Sequence, residues 1–298
     1  MARRIVRWLG IALLSLTALA LIVVGYLVAQ ARKMPTGRAE YVALGSSFAA
    51  GPGIAARTTD TPAFCFQSDQ NYAHQVARTR RLSLVDMSCG GATSEHLLRN
   101  GLLFQGPQLR AVTRETRLVT ITIGGNDVAY LGNLIALGCG DDTSVWLRLA
   151  GGCRPTADSV VEAGFVQLTR NLRAVGSAIH ERAPDARILL VSYLTILPAE
   201  GTCARLGLAP AAAGAMRAIA LRLEAVTRAA AQEMRADLVD AAALSRGHDA
   251  CAPEPWITAA HPGSYAPLHP TLAGMTAVAR EINRVLERPP PASGDGSR

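Results

Sequence analysis

Short apolar runs alternate with amphipathic stretches along most of this chain, and that alternation leaves few folds open. The runs lie at 41–44, 82–87, 117–123, 186–192 and 236–241, and the first three run into glycine-bearing loops. Runs of four to seven residues, β-branched and bounded by turn residues, read as strands buried on both faces. The segment 159–182 carries apolar residues at three- and four-residue spacing, with Asp158 as its expected N-cap. The segment 210–235 is alanine-rich, opens on Pro210 as a first helical turn favours, and aligns Met216, Ile219, Leu223 and Val226. A last helix is expected at 271–287, with Leu272, Met275, Val278, Ile282 and Val285 on its inner face. Strand–helix alternation predicts an α/β protein, a three-layer α/β/α sandwich around a mostly parallel sheet of about five strands.

The N-terminus stands apart. Arg3, Arg4 and Arg7 precede an uncharged run from Trp8 to Ala29. As a helix this run reaches roughly 30 Å, enough to cross the core of a bilayer. The apolar stretch of a cleaved secretory leader is shorter, about 7–15 residues. Residues 1–33 therefore read as an uncleaved signal anchor, with a cleaved signal peptide as the alternative. Ala29-Gln30-Ala31 has the small-x-small form of a cleavage site, and Arg32 and Lys33 weaken the positive-inside bias. Both readings export the rest of the chain, to the outer face of the membrane if anchored, or secreted or periplasmic if cleaved. A linker at 34–38 leads to a domain at 39–287, and the proline- and glycine-rich tail 288–298 is expected to be disordered.

Composition narrows the partners. The chain has 30 basic and 23 acidic residues, a formal charge of +7. Five of the basic residues (Arg3, Arg4, Arg7, Arg32 and Lys33) lie in the acid-free first 33 positions, so the remainder carries only +2. A nearly neutral body gives no electrostatic footprint for nucleic acid. The six cysteines, Cys65, Cys89, Cys139, Cys153, Cys203 and Cys251, all lie outside the apolar segment. Their order suggests the sequential bridges Cys65–Cys89, Cys139–Cys153 and Cys203–Cys251, although order alone does not choose among pairings and free buried thiols are the bland alternative. No Cys-x-x-Cys or close Cys/His group suggests a metal.

Ligands of open parallel sheets gather beyond the carboxyl ends of the strands, and three motifs fall there. Leu44-Gly45-Ser46-Ser47-Phe48 follows the first strand and sets Ser47 at the opening of a helix, where backbone N–H groups favour a serine nucleophile and the oxyanion it forms. Ser88-Cys89-Gly90-Gly91-Ala92-Thr93 follows the second, and its glycines allow close approach of backbone to a ligand. Gly124-Gly125-Asn126-Asp127 follows the third and offers the Asn126 amide as a donor, with Asp127 as a loop brace or helix cap. Taken singly, each motif also reads as an ordinary cap or turn. Among the histidines, His74, His96 and His180 lie in helical stretches, His248 in a polar loop and His261 in a loop before proline. His269 stands just before the last helix, which can return it to the strand-end face and to Ser47.

Together these motifs resemble the SGNH (GDSL) hydrolase superfamily, in the family's order and over positions 41 to 275; the cysteine layout is also similar to that of secreted, disulfide-bearing esterases and lipases. The resemblance implies a flavodoxin-like fold, Ser47 as nucleophile and His269 as base. It implies an oxyanion hole from the Ser47 and Gly91 N–H groups and the Asn126 side chain, with no cofactor. Two positions depart from the family pattern. Ser46 stands where the family has aspartate, and Ala266 stands where an aspartate often orients the histidine. A Ser47–His269 dyad is therefore expected, with the backbone carbonyl of Ala266 as orienter and Asp127 or Asp249 as remoter substitutes.

The implied activity is hydrolysis of carboxylic esters, lipid or short acyl, by a monomer tethered to the membrane if its N-terminal helix is retained. A carbohydrate or cell-wall O-deacetylase is the alternative within the fold, and a catalytically silent, membrane-anchored binding protein the alternative outside it. The segment from Cys139 to Cys153, with Trp146, Leu147 and Leu149, reads either as a loop shaping an acyl pocket or as a surface excursion.

Overall fold

The computed structural model describes residues 2–31, 39–54, 57–58, 61–102, 105–139, 153–260 and 266–289. The expected linker, most of the tail, His261, Trp146, Leu147 and Leu149 lie outside the described residues.

Helix α1 (Ala2–Ala31) contains an apolar span, Arg4–Ala29, long enough to cross a membrane, and its large side chains are exposed. The body then alternates as its sequence predicts: β1 (Tyr41–Gly45), α2 (Ser47–Ala50), α3 (Tyr72–Arg80), β2 (Leu84–Asp86), α4 (Ser94–Leu98), β3 (Leu118–Thr122), α5 (Tyr130–Gly138), α6 (Asp158–Arg182), β4 (Arg187–Val191), α7 (Pro210–Glu233), β5 (Asp237–Val239), α8 (Ala241–Leu244) and α9 (Leu272–Leu286). The five strands form one parallel sheet in the order β2-β1-β3-β4-β5, with Tyr41 of β1 in register with Leu84 of β2 and Leu118 of β3. Strand order reverses beside β1, which opens a crevice at the carboxyl ends of β1 and β3. Helices α3 and α9 pack together on one face, and α4, α5, α6 and α7 on the other. Covered on both sides, β1 and β3 are buried at every position, which is why β1 reads as an apolar run and β3 as a β-branched one. The polar side chains on β3 find partners: Thr120 bonds to the Tyr41 hydroxyl at 2.9 Å and Thr122 to the Tyr72 hydroxyl at 2.8 Å.

Two local expectations are corrected. The N-cap of α6 is Ala157; Asp158 occupies the first turn, where its charge still complements the helix dipole. The second strand is only three residues long, because the Leu82 N–H closes the end of α3 on the Ala77 carbonyl at 3.0 Å.

The cysteines pair as Cys65–Cys89, Cys139–Cys153 and Cys203–Cys251. The first ties the loop before α3 to the loop after β2, and the third ties the loop after β4 to the one after α8. Disulfides and an exposed apolar N-terminal helix are the features of an exported chain. On the opposite edge, Arg187 of β4 bonds Asp237 of β5 at 2.7 Å and reaches the Val285 carbonyl at 2.9 Å, so one guanidinium pins both the last strand and the C-terminus of α9.

Candidate active site

The turn after β1 is locked before any chemistry is considered. Gly45 has φ of 147°, and a Cβ there would lie 2.4 Å from the Thr122 carbonyl oxygen. Its peptide groups are gripped by the buried Gln108 amide, which accepts the Gly45 N–H at 2.8 Å and donates to the Gly45 carbonyl at 3.0 Å. The Ser46 N–H bonds to Thr122 and the Cys89 N–H to Gly45, so the loops after β1, β2 and β3 are stitched together through backbone. Gly45→Ala is expected to lower the stability of the protein by roughly 3 kcal/mol, since the new methyl meets backbone that cannot yield. A thermal melt reads this directly, and an unchanged Tm would contradict so close an approach.

Ser46 is the N-cap residue of α2, yet its hydroxyl does not cap the helix. It bonds to the Tyr193 hydroxyl at 2.8 Å, and that hydroxyl accepts the Gly125 N–H at 3.0 Å. Tyr193 therefore bridges the nucleophile turn and the turn after β3, and Ser46 serves that bridge rather than the helix end. Burial pushes its phenol up to about 12, so it remains a neutral hydroxyl.

Ser47 opens α2 and is 6% exposed. Its Oγ lies 2.8 Å from Nε2 of His269, 222 residues later in the chain. His269 Nδ1 lies 2.8 Å from the Pro267 carbonyl oxygen. A carbonyl only accepts, so Nδ1 carries the proton and Nε2 is bare, facing the serine hydroxyl as a base must. The expected orienter, Ala266, is corrected to Pro267. Leu268 adopts a left-handed φ of 58°, which brings the carbonyl two residues before the histidine to the ring. The Ala266 carbonyl accepts the Thr258 hydroxyl at 2.7 Å, and Thr258 Oγ1 accepts the His269 N–H at 3.0 Å, so Thr258 fastens both ends of this turn. Neither suggested carboxylate replaces the carbonyl: Asp127 bonds to Ser94, and Asp249 accepts the Cys251 N–H at 2.8 Å. Burial holds His269 down to about 4, partly offset by the Pro267 hydrogen bond, so the ring is neutral at ordinary pH.

The remaining donors lie on the adjoining loops. Gly91 has a left-handed φ of 81°, which glycine adopts without strain. No described residue accepts its N–H or that of Ser47. Asn126 gives one amide hydrogen to the Ala92 carbonyl at 2.9 Å, leaving the second for a ligand. Among the described residues, no cluster of three or more His, Cys, Asp or Glu is placed to hold a metal. On the α7 side of β4 is a cavity of about 340 Å³ whose wall includes Tyr130, Leu194 and Leu223 with the charged Arg217 and Glu224; Tyr193 joins it to the nucleophile turn, and none of Ser47, Gly91, Asn126 and His269 lines it.

The other described histidines, His74, His96, His180 and His248, stay outside this geometry. His96 accepts the Thr93 N–H at 2.9 Å at the start of α4, His180 bonds to the Met234 carbonyl at 2.9 Å, and His248 stacks on Trp256. His74 lies 3.7 Å from the buried Asp86. The sequence shows no sign of Gln108, Tyr193 and Thr258, which act on partners that the fold brings to them, or of Pro267, whose carbonyl reaches the ring through the left-handed Leu268.

Comparison with known proteins gives the family and the fold. Residues 43–277 match the GDSL-like Lipase/Acylhydrolase family. The chain is 34% identical to Lipase 2 of Streptomyces coelicolor over 268 residues, 87% of this chain and 88% of that protein. The crystal structure of an extracellular lipase from Streptomyces rimosus superposes with a TM-score of 0.67 at 27% identity, covering 82% of this chain and 98% of that one. A phospholipase A1 from Streptomyces albidoflavus, 24% identical, shares the fold with a TM-score of 0.67 over 82% of this chain and 98% of its own. The chain belongs to the GDSL-like lipase/acylhydrolase family and is a hydrolase of carboxylic esters.

Proposed function

We propose that the protein is a membrane-anchored serine esterase facing the outside of the cell, which hydrolyses lipid esters through an acyl-enzyme on Ser47. The observation that carries this reading is the 2.8 Å contact between Ser47 Oγ and the bare Nε2 of His269. As Oγ attacks the ester carbonyl carbon, its proton passes to Nε2 and the carbonyl electron pair moves onto oxygen. The Ser47 N–H, the Gly91 N–H and the free Asn126 amide hydrogen receive that oxyanion. When the tetrahedral intermediate collapses, the C–O bond to the alcohol breaks and Nε2–H returns the proton to the departing oxygen. Water then repeats the sequence on the acyl-enzyme, giving up a proton to Nε2 and releasing the acid and Ser47. The Pro267 carbonyl holds the imidazolium formed in each half-reaction, with a dipole in place of a full charge.

Two features support lipid over acetylated carbohydrate. The relatives named above are lipases. Tyr193, which bonds to Ser46, also walls a mainly apolar cavity far larger than an acetyl group requires, and an acyl chain passing Tyr193 would enter it. The 26-residue span of α1 supports anchoring, since it exceeds the apolar stretch of a leader.

Full-length protein in detergent micelles is to be treated with a fluorophosphonate, whose phosphorus Ser47 Oγ attacks with loss of fluoride. Peptide mass mapping is expected to find the adduct on Ser47 in the wild type and none in His269→Gln. A folded wild type without label would remove the dyad. With p-nitrophenyl esters, kcat/KM is expected to rise by roughly threefold to fourfold per methylene while the chain fills the cavity. A preference for acetate over octanoate would favour the deacetylase.

A further inference from the structure

Asp127 stands next to the amide donor Asn126, but its carboxylate is turned toward α4. Its two oxygens lie 3.1 and 3.0 Å from the Ser94 N–H, and the Ser94 hydroxyl also donates to it. Ser94 is the first residue of α4 and is fully buried. Its hydroxyl oxygen accepts from Asn171 Nδ2 at 2.9 Å, and Asn171 Oδ1 accepts from Gln167 Nε2 at 2.8 Å, both residues being on α6. Asn126 bonds to Ala92, two residues before Ser94. The loop that carries Gly91 and the turn that carries Asn126 are thus fastened at two adjacent points. Helix α6 closes on the turn from behind: a Cβ on Gly164 would lie 2.1 Å from the Asp127 carbonyl oxygen.

We infer that Asp127 is a positioning residue of the oxyanion hole: as a carboxylate it holds Ser94, and through Ser94 it sets the spacing between the Gly91 and Asn126 donors. The inference rests on the esterase reading. Its chemistry lies in the number of acceptors. A carboxylate takes both Ser94 hydrogens at once, whereas a carboxylic acid carries a proton that competes with the serine hydroxyl for the same space.

The surroundings make that change accessible. Burial raises the Asp127 carboxyl to about 6, while the Ser94 hydrogen bonds pull it down. Facing it from α4 are Glu95, paired with Arg99 at 2.6 Å, and His96, which burial holds below its ordinary value. From the end of β4 comes the neutral Tyr193, and from α6 the uncharged Gln167 and Asn171. The clasp is complete above about pH 6, with Asp127 ionised, and loosens as pH falls through that value.

The test measures kcat and KM of the full-length enzyme on p-nitrophenyl octanoate across the acid and neutral range. The wild type is expected to lose roughly tenfold in kcat, with KM little changed, in a limb near pH 6, distinct from the complete loss that follows protonation of His269. Asp127→Asn mimics the protonated acid, so its kcat should sit at the lower level throughout and lack the limb. Ser94→Ala removes a donor that lowers the carboxyl, so its limb should move to higher pH. This second variant decides the matter if the first does not fold. Wild-type kcat in Asp127→Asn at neutral pH, or a limb unmoved by Ser94→Ala, overturns the inference while leaving the esterase intact. A wild type inert toward every ester overturns the esterase reading and this inference with it.

Discussion

Replacing Ser47 with alanine is expected to reduce kcat by roughly 10⁵- to 10⁶-fold, to a residue of turnover supplied by binding and the oxyanion donors. Ser47→Ala deletes a single buried oxygen, so the fold should persist with a modest cost for the unpartnered Nε2 of His269, roughly 1–3 kcal/mol. His269→Gln should cause a loss of similar size, because glutamine fills the space without a basic nitrogen. The decisive measurement is the double variant. Nucleophile and base act as one unit, so removing both should cost no more than removing either. Multiplying losses would mean that the two residues act separately, and the dyad would have to be abandoned. The wild type carries a pH signature of the same pair. The base works while neutral, and burial holds His269 at about 4, so its limb in kcat/KM should appear near pH 4, with activity lost below it. A carboxylate-supported histidine would lose its base form at higher pH, since a nearby negative charge favours imidazolium.

The sheet was legible because its strands are covered on both faces. Complete burial leaves a run of apolar and β-branched residues without a charge, as in Leu118–Thr122, and the turn that must follow shows as glycine. The candidate nucleophile and donor motifs stood out for the same reason: each lies in the loop that follows its strand. His269 required one further step, the return of the last helix to the strand-end face. What sequence did not disclose was fixed by backbone direction. The family resemblance implies Ala266 as orienter, but the left-handed Leu268 brings the Pro267 carbonyl to the ring, and nothing about a leucine announces that conformation. Gln108 and Tyr193 were silent too. They grip Gly45 and Ser46 from 63 and 147 positions away, and a lone glutamine or tyrosine carries no sign of such a partner.

Asn126→Ala is expected to lower kcat by roughly 10²- to 10³-fold with little change in KM, the loss typical of one oxyanion donor. Asn126 has two possible duties, and the variant series separates them. One amide hydrogen already serves the Ala92 carbonyl, a structural bond worth roughly 1 kcal/mol. Alanine removes both hydrogens, so a small drop in Tm should accompany the kinetic loss. Aspartate of the same shape discriminates further. Asn126→Asp places a carboxylate against the Ala92 carbonyl and the developing oxyanion, substituting repulsion for donation, and should be slower still than alanine. Asn126→Gln retains the donor on a longer arm and should recover part of the loss. If the amide served structure alone, kcat would follow Tm through the series. If it stabilises the transition state, kcat should order as asparagine, glutamine, alanine, aspartate whatever the melting temperatures. An alanine variant with wild-type kcat would exclude Asn126 from the oxyanion hole and leave the two backbone donors, Ser47 and Gly91, to hold the charge between them.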